Sequence, residues 1–464
     1  MALCEGGEMA VSIALFTRDL RVHDNPVLVE ASADADRVIP LYVLDERLVA
    51  TGFANPNRAA FLADSLHDLH ASLQARGAAL VVRRGAPEAV VPELLRQHEV
   101  TRVHVAADAS AFAHGREQRL RDVVGDRLVV HHDVHRAVAS SALQSDPAHH
   151  DKVFTPYFQK WSRIPPRPPL PAPTGLRLPP LDVGALPEAE EFCAGEPAER
   201  LPAGGETAGR ERLRSWLGEG IVGFAEQAAG LLTRTTSQLS PYLHFGCLSG
   251  AEVRCATGDA TEDARQFARQ LAWRDFYDQV LAARPEVAWE DYRGQGDRWR
   301  DAPDELLAWQ EGRTGYPVVD AAQRQLVAEG WLSNRARLLS ASFLCKTLYL
   351  DWRPGARFFL RHLVDGDLAA NQLNWQWMAG TGTDTRPDRV MDPLWQAENH
   401  DPNGDYVRRC VPELRSVAGP AVHRPWDLDP VVREGLGYPA PVVDLEEAHA
   451  RFAGTRRELR SRRG

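Results

Sequence analysis

The chain contains very little lysine. Lys152, Lys160 and Lys346 are the only lysines among 54 basic residues, so arginine provides nearly all of the positive charge. Arginine suits bidentate contacts with phosphate, although a GC-rich genome gives the same composition. The formal net charge of −10 argues against bulk binding of nucleic acid. Composition therefore leaves the partner open and allows a local basic face on an acidic protein.

Closely spaced cysteines and long apolar runs are also absent. None of the six cysteines forms a C-x-x-C pair, which argues against a zinc ribbon, an iron–sulfur cluster or a disulfide framework. We therefore expect no metal and a reducing, cytoplasmic environment. No stretch approaches the roughly 18 apolar residues of a membrane span, and the N-terminus lacks the basic region of a signal peptide. The first strand-like run follows Met9, so residues 1–8 are expected to be a dispensable tail.

Strand-like and helix-like segments alternate over the first part of the chain. The segment 58–77 is amphipathic at helical spacing and ends at Gly77. No G-x-G-x-x-G follows the first strand, where FTRDLRVHDNP makes a poor phosphate cradle. Strands separated by helices predict a parallel, doubly wound α/β sheet, and we place this α/β domain at residues 9–135. The predicted strands are 11–16, 37–44, 78–84, 100–107 and 127–133.

The character of the sequence changes twice after this domain. Residues 136–205 are loosely patterned and rich in proline, as in RIPPRPPLPAPTGLRLPPL, and predict an extended interdomain linker. Residues 206–445 carry long amphipathic patterns that proline and glycine punctuate. They predict an all-α C-terminal domain, followed by a short tail at 446–464.

Tryptophan is concentrated in the helical half, where eleven of the twelve lie at Trp216 or beyond. Core packing explains most of them, but several fall in segments that are also rich in Asn, Arg and Asp. In DGDLAANQLNWQW (365–377), a helix at about 100° per residue places Asp367, Asn371 and Trp375 on one face. Trp377 then points to nearly the opposite side. The two neighbouring tryptophans must therefore serve two different surfaces.

A second segment offers hydroxyl groups for an anion. In TTSQLSPYLHFG (235–246), Thr236, Ser237 and Ser240 precede a predicted helix. Ser240 is expected to cap this helix, with Pro241 in its first turn. A helix N-terminus of this kind can bind an anion. The same pattern is also typical of an ordinary capped helix without a ligand.

Polar and aromatic groups also cluster on two more predicted helices, RQLAWRDFYDQ (269–279) and GWLSNRARLLSASF (330–343). Charged groups close to apolar helix faces are costly to bury unless they are paired. We expect Arg337 to pair with Asp365. Together with the tryptophans, this composition predicts a site for a large, flat, anionic ligand. The other polar and aromatic candidates on these helices are Gln270, Trp273, Arg274, Asn334 and Arg335.

Eight motifs along the chain resemble a single family. In order they are FTRDLRVHDNP, VFTPYFQKW, TSQLSPYLHFG, WRDFY, GRTGYPVVDAA, NRARLLSASFL, DGDLAANQLNWQW and YVRRCVPEL. Each motif alone is moderately specific. All of them in register resemble the class I cyclobutane pyrimidine dimer photolyases of the photolyase/cryptochrome family. The similarity runs from about residue 11 to residue 445 and so covers nearly the whole chain.

The resemblance implies an N-terminal antenna domain and a helical C-terminal domain that holds FAD. Asn371 would lie beside N5 of the flavin, where an amide supports the reduced ring without holding a proton of its own. Trp375, Trp352 and Trp299 would form an electron relay in that order. The implied FAD contacts are Phe224, Thr236, Ser237, Gln238, Leu239, Ser240, Arg337, Asp365, Gly366, Asp367 and Asn371.

The resemblance also implies a substrate, DNA that contains a pyrimidine dimer, and a monomeric enzyme. A dimer inside a duplex must be extruded, and aromatic walls replace its lost stacking. Light-excited reduced FAD would give an electron to the dimer, the cyclobutane ring would split, and the electron would return. Trp273 and Trp377 would stack against the extruded dimer, and Gln270 would take part in catalysis. The implied DNA contacts are Gln270, Trp273, Arg274, Asn334, Arg335, Leu338 and Trp377.

Four positions depart from the family pattern. Gln270 replaces a substrate-contacting Glu, so an amide can still donate to a pyrimidine carbonyl but an acid proton is lost. Phe224 replaces a Tyr near the FAD, and Ala228 replaces a basic residue. Leu338 replaces a Met that lines the dimer pocket, which conserves volume. The pocket is therefore less polar, and we expect affinity to suffer before activity.

Two other kinds of protein from the photolyase/cryptochrome family remain as alternatives. A (6-4) photolyase would share the fold and FAD, and Gln270 and FGCLS resemble that branch. It would, however, carry histidines where this chain has Ser333 and Asn334. A cryptochrome-like blue-light sensor would have a long signalling tail, whereas only RRELRSRRG lies beyond the family boundary. The family also carries an antenna chromophore. The GC-rich composition favours an 8-hydroxy-deazaflavin, with methenyltetrahydrofolate as the alternative.

Overall fold

The N-terminal domain is built on a parallel sheet of five strands. The computed structural model describes residues 9–51, 53–144, 149–227, 230–231 and 236–461. The strands are β1 (Val11–Phe16), β2 (Arg37–Leu44), β3 (Val81–Arg84), β4 (Val100–Ala106) and β5 (Leu128–His131). Their order is β3-β2-β1-β4-β5, and every neighbouring pair is parallel. The doubly wound α/β class predicted from the sequence is confirmed.

Two strands have their predicted bounds and three are shorter than predicted. β1 and β2 match their predicted ranges. β3 begins only at Val81, because its ladder partner in β2 is the segment 41–44. β5 ends at His131, which pairs with the last residue of β4, Ala106. A strand ends where its ladder partner ends, which the hydrophobic pattern of one segment does not reveal.

Five helices accompany the sheet, and polar caps begin three of them. Asn25 and Asn55 accept hydrogen bonds from the backbone N–H of Leu28 (3.3 Å) and Arg58 (2.7 Å). The second of these helices was predicted at 58–77, and it runs from Pro56 to Gln74. The helices are α1 (Pro26–Ala33), α2 (Glu46–Ala50), α3 (Pro56–Gln74), α4 (Pro87–His98) and α5 (Ala111–Val124).

The predicted linker contains three short helices as well as extended chain. They are α6 (Ser140–Leu143), α7 (Phe154–Arg163) and α8 (Ala189–Phe192). α7 is fixed to the helical domain by Trp161, whose indole Nε1 donates to the carboxylate of Asp275 (2.9 Å). The proline-rich part after α7 follows the surface of the α/β domain, where the backbone N–H of Leu176 donates to the carbonyl of Arg76 (2.8 Å).

The rest of the chain is helical, and among its described residues it contains no strand. The predicted all-α C-terminal domain is confirmed. Its longest helix, α13, is capped by Thr261. The helices are α9 (Glu206–Ser215), α10 (Phe224–Gln227), α11 (Ser240–His244), α12 (Gly250–Thr257), α13 (Glu262–Ala283), α14 (Pro303–Gln310), α15 (Pro317–Glu329), α16 (Asn334–Ser342), α17 (Trp352–His362), α18 (Leu368–Ala379), α19 (Pro393–His400), α20 (Asp405–Cys410), α21 (Pro430–Leu436) and α22 (Leu445–Ser461).

The end of the chain differs from the predicted short tail. Residues 446–461 belong to α22, which packs on the helical domain through the buried ring of Phe452. Arg456 on the same helix is buried and forms an ion pair with Asp297 (2.9 Å). An amphipathic helix therefore stands where the sequence was assigned to a tail. No helix in the described part of the chain combines the length and the apolar character that a membrane span requires.

The two domains meet at the carboxyl ends of the sheet strands. The chain passes outward from β1 to β3 and then returns beside β1 as β4, so the strand order reverses between β1 and β4. Ligands of open α/β sheets bind at this point. Gly246, which follows α11, approaches here so closely that a Cβ on it would clash with the backbone carbonyl of Arg18. Its φ of +66° also favours glycine.

Candidate functional site

α18 lies at the centre of the predicted site. Asp367 caps this helix by accepting a hydrogen bond from the backbone N–H of Ala370 (2.9 Å), and Gly380 ends it with φ +81°. Asn371 and Trp375 are buried, whereas Trp377 is partly exposed. The helix thus directs the two tryptophans into different surroundings, as its period requires.

The side chain of Asn371 is held in one orientation. Its Nδ2 donates to the carbonyl of Ala356 on α17 (3.2 Å) and to Oε1 of Gln372 (2.8 Å). Gln372 in turn donates to the carbonyl of Ala288 (2.5 Å). Among the described residues no donor reaches Oδ1 of Asn371. Buried networks of this kind fix the rotamer and leave one defined atom for a ligand.

The predicted ion pair between Arg337 and Asp365 is present. Nη2 of Arg337 lies 2.7 Å and 3.0 Å from the two carboxylate oxygens, and its Nε donates to the carbonyl of Leu332 (3.0 Å). The carboxyl group of Asp365 is 2% exposed. A buried carboxylate needs such a partner, so α16 and the residues just before α18 are held together by charge.

Asp367 connects the site to the α/β domain. Its carboxylate accepts from Nη1 of Arg18 (3.0 Å), and Nε of Arg18 lies 2.7 Å from Asp108. Nδ1 of His244 lies 3.9 Å from the same carboxylate. Burial alone would raise the pKa of Asp367, but the charge of Arg18 holds it well below its usual range. Asp367 is therefore a carboxylate that joins the two domains as well as a helix cap.

The hydroxyl-rich segment before α11 is positioned from behind by Arg212 of α9. The guanidinium donates to the carbonyls of Ser237 (2.7 Å) and Thr236 (3.1 Å), which turns these carbonyls toward α9. Gln238 has a positive φ of 53°, so the chain turns sharply before Leu239. Leu239 is buried, and Ser240 is exposed. The polar groups of this turn thus lie in a segment that is half-buried at 236–238 and exposed at Ser240.

The expectation that Ser240 caps α11 is wrong. Leu239 already has helical dihedrals (φ −83°, ψ −8°) and occupies the capping position without a side-chain hydrogen bond. Ser240 is the first helical residue, and its hydroxyl accepts from the indole Nε1 of Trp331 (3.2 Å). Pro241 lies in the first turn as predicted. The helix begins one residue early because the turn at Gln238 brings Leu239 into helical geometry.

Phe224 and Gly366 occupy tightly packed positions. The ring of Phe224 is buried edge-to-face against Trp216 (5.5 Å) and Phe267 (5.7 Å). A Cβ on Gly366 would lie 2.5 Å from Nη1 of Arg58, so a larger residue here would displace that guanidinium. Ala228, where a basic residue was expected from the family pattern, lies outside the described residues.

The three proposed relay tryptophans lie on or next to α17 and α18. Trp352, the first residue of α17, is completely buried, and its Nε1 donates to Asp291 (2.9 Å). One turn later, a Cβ on Gly355 would clash with the ring of Trp375, so that ring rests directly on α17. Trp299 is partly exposed and packs against Tyr349, with 5.1 Å between ring centroids. The rings thus extend from a buried to a partly exposed position.

The candidate lesion contacts on α13 have unequal surroundings. Gln270 is exposed. The ring of Trp273 is stacked on Phe154 of α7 at 3.6 Å and 6°, so one of its faces is covered. Arg274 donates to the backbone carbonyls of His135 and Leu243 (3.1 Å to the latter). Its guanidinium is therefore engaged between the domains, and its predicted contact with DNA stays a prediction.

Trp273 and Trp377 lie near the junction of α13 and α18. The hydroxyl of Tyr277 contacts Oδ1 of Asn374 at 3.2 Å. Tyr277 follows Trp273 by one turn of α13, and Trp377 follows Asn374 by about one turn of α18. Each aromatic candidate therefore lies about one helical turn from this contact.

The candidates on α16 lie at its first two turns. Ser333 caps this helix, and Asn334 is exposed. Nη1 of Arg335 donates to Oε1 of Gln396 on α19 (2.7 Å). Leu338 is partly buried against the C-terminal core. These residues offer a polar, partly exposed edge, with the guanidinium of Arg335 held in place by α19.

A cavity of about 680 Å³ lies between the domains at the carboxyl edge of the sheet. Phe16, Tyr42 and Ser110 line it from the α/β domain, and Trp289 and Leu368 line it from the helical domain. Its volume falls within the roughly 300–1,000 Å³ of small-molecule sites. The sequence predicted an antenna domain by resemblance but did not locate this cavity.

A second cavity of about 340 Å³ adjoins the first and shares Asp108 and Asp278 with it. His135 lines the second cavity, and both of its buried ring nitrogens lack a hydrogen-bond partner among the described residues. Burial lowers the pKa of this imidazole well below its usual value, so it is neutral at pH 7. Unpartnered buried nitrogens of this kind fit a polar ligand group.

Four residues that position the site were missed in the sequence. Arg18 lies in the quoted motif FTRDLR, but its partner Asp367 is 349 residues away. Arg212 and Phe154 act through contacts that no local pattern marks. Trp309 is completely buried beside Trp375, with ring centroids 5.9 Å apart. Its tryptophan identity was the only available signal.

Two family models match the chain. The model described as DNA photolyase matches residues 12–174, and the model described as FAD binding domain of DNA photolyase matches residues 267–457. A deoxyribodipyrimidine photo-lyase of Streptomyces griseus is 50% identical over 453 residues, which covers 97% of this chain and 99% of that protein.

Solved structures of the same kind superpose over almost the whole chain. A bacterial class III photolyase from Agrobacterium tumefaciens matches with a TM-score of 0.90 and 29% identity, covering 99% of this chain and 100% of the other. An archaeal photolyase from Sulfolobus tokodaii, solved with two FAD molecules, matches with a TM-score of 0.82 and 29% identity, covering 97% and 100% of the two chains.

Proposed function

The chain belongs to the DNA photolyase family, and from that membership we propose that it uses light and FAD to repair cyclobutane pyrimidine dimers in DNA. The Streptomyces griseus relative carries the name of this activity and shares half of its residues with the chain. The observation that carries the proposal is the arrangement on α18, where Asn371 and Trp375 are buried while Trp377, two residues on, is partly exposed. One helix thereby presents a cofactor side and a substrate side.

The residues present fit FAD. The turn at 236–240 offers hydroxyl and backbone groups in a segment that is half-buried at 236–238 and exposed at Ser240, which suits phosphate. Oδ1 of Asn371 accepts no hydrogen bond from a described residue, and its amide is fixed from the other end. When bound, FAD supplies the light-excited electron. The chain supplies binding and orientation, because Arg337 holds Asp365 and Arg212 holds the turn.

The tryptophans Trp375, Trp352 and Trp299 form the proposed electron relay. Trp375 rests on α17 one turn from Trp352, and the arrangement is buried except at Trp299. Indole rings are more easily oxidised than phenylalanine, so a row of them carries charge between the interior and the surface. Trp309 also packs against Trp375, with ring centroids 5.9 Å apart, and is not one of the three proposed relay residues.

The proposed lesion site lies at the junction of α13 and α18. Trp377 and Trp273 would stack on an extruded dimer, and Gln270 would donate an amide N–H to a pyrimidine carbonyl. Asn334 and Arg335 stand on α16 to contact the strand. Phe154 stacks on the back of Trp273 and sets the plane of that ring. The monomeric form that the resemblance implies remains part of this proposal.

We place the protein in class I on the strength of its motifs. The eight motifs occur in register, whereas the Agrobacterium tumefaciens structure that superposes well is described as class III. Ser333 and Asn334 stand where a (6-4) photolyase would carry histidines, which supports the cyclobutane dimer as the substrate.

We further propose that the cavity between the domains holds a second chromophore. It lies at the strand-order reversal of the sheet, and its volume suits a flat ligand. Nε of Arg116 in this cavity and both nitrogens of His135 in the adjoining one lack partners among the described residues, so polar groups of a ligand would satisfy them. An 8-hydroxy-deazaflavin is favoured over methenyltetrahydrofolate. The Sulfolobus tokodaii relative carries a second FAD.

One experiment tests the proposed function. The purified protein, reduced chemically, would be illuminated with blue light in the presence of an oligonucleotide that carries one thymine dimer. We expect loss of the dimer in light and no change in the dark, with a (6-4) photoproduct left intact. Repair of the (6-4) photoproduct instead would assign the protein to that branch. Binding of FAD without repair of either lesion would favour a light sensor.

A further inference from the structure

Two histidines face each other at the edge of the sheet, away from the site described above. His104 of β4 is completely buried and His131 of β5 is 8% exposed. In the ladder His131 pairs with Ala106, two residues beyond His104, so the two side chains share one face of the sheet. Their rings are stacked at 5.3 Å and 25°, and Nδ1 of His104 lies 3.0 Å from Nε2 of His131.

A carboxylate lies at the outer nitrogen of each ring. Oδ2 of Asp34 is 3.3 Å from Nε2 of His104, and Oε2 of Glu30 is 3.7 Å from Nδ1 of His131. Both acids come from the end of α1, which packs over this part of the sheet. Glu30 and Asp34 are about half exposed, so the group opens to solvent on the side of α1.

Two imidazoles and two carboxylates thus meet in one place. The rings are buried and the acids are about half exposed, so an ion that enters from the side of α1 reaches nitrogen and oxygen ligands together.

We propose that His104, His131 and Glu30 bind one divalent transition-metal ion, with Zn²⁺ as the best match. Their ligand atoms lie within 4.8 Å of one another. A metal on Nδ1 of His104 leaves the Nε2–H of that ring to donate to Asp34. This is the usual carboxylate–histidine–metal arrangement, in which the acid is a positioning residue. Two imidazoles and a carboxylate match the preference of Zn²⁺, and water completes the coordination.

The site would be structural. It joins α1, β4 and the edge strand β5, whose outer side has no partner strand among the residues that the structure describes. The catalytic candidates lie in the helical domain, whereas this group lies in the α/β domain. A metal-binding experiment therefore gives the same answer whether or not the protein repairs DNA. The sequence analysis predicted no metal because the three ligands, at positions 30, 104 and 131, are far apart in the chain and form no short metal-binding motif.

The test uses the full chain with its flavin, freed of metals by chelation. Zn²⁺ is titrated against a chromophoric chelator, and Co²⁺ absorption reports the coordination. We expect about one tight site per chain and a rise in the melting temperature on loading. His131→Asn should remove that site, and Asp34→Asn should weaken it roughly 10- to 100-fold. His67→Asn, at an exposed histidine of α3, is the matched control and should bind as wild type does.

Two outcomes would overturn the proposal. One is a wild-type chain that takes up no tightly bound metal. The other is tight binding that His131→Asn leaves intact, which would place the ion on other histidines. If His131→Asn does not fold, Glu30→Gln, at the exposed ligand, is tested instead. We expect at least tenfold weaker binding of Zn²⁺ by this variant. Unchanged binding would contradict the proposal.

Discussion

Replacing Trp377 with alanine tests the proposed division of α18 into a cofactor side and a substrate side. The loss of one base–aromatic stack costs about 1–3 kcal/mol, which corresponds to roughly 5- to 150-fold weaker binding of dimer-containing DNA. Trp377 is only partly buried against the C-terminal core. Its truncation should therefore destabilise the fold by less than the roughly 3–5 kcal/mol typical of a fully buried tryptophan. Flavin content and photoreduction should stay close to those of the wild type.

The assay is fluorescence anisotropy in the dark, with a dimer-containing and an undamaged oligonucleotide at matched salt. Trp426→Ala is the control, because Trp426 is also partly buried against the same core but packs on Tyr316. It should cost stability without selective loss of lesion affinity. Salt should weaken wild type and mutant with similar slopes, since phosphate contacts carry the salt dependence.

The reasoning is refuted by a Trp377→Ala protein that keeps full affinity for the lesion. It is also refuted if affinity, flavin content and stability fall together to the same degree as in Trp426→Ala, because Trp377 would then be a core residue only.

Three further changes have defined outcomes. Trp375→Phe should abolish photoreduction of oxidised FAD while repair by chemically reduced protein persists; unchanged photoreduction would exclude the proposed relay. Gly355→Ala should cost about 1–3 kcal/mol in urea unfolding, since its Cβ would lie 2.5 Å from Leu344 and clash with Trp375; a neutral effect would contradict the close packing of α17 on that ring. Asp367 has a depressed pKa in the folded state, so its contribution to stability is present above pH about 4 and is lost as acid protonates it. Asp367→Asn should lower stability at pH 7 and flatten the acid limb of the pH profile, and an unaltered profile would show that the contact with Arg18 contributes little.

Local pattern determined the fold class and much of the helical candidate site. β1 and β2 are largely apolar and almost fully buried, and their predicted ranges match the structure because both faces of a parallel sheet are covered. The pairing of Arg337 with Asp365 followed from the cost of burying an unpaired charge. The separation of Trp375 from Trp377 followed from the helix period alone.

Tertiary structure decided what depends on distant parts of the chain. The ion pair of Arg18 with Asp367, the stacking of Phe154 on Trp273 and the cavity between the domains all join segments that no local pattern relates. Ser240 lost its predicted capping role because a turn at Gln238 brought the chain into helical geometry one residue earlier. His104 and His131 face each other only because β4 and β5 pair in a particular register. Periodicity reports which face of an element is buried, but the identity of its neighbours is set by how the elements pack.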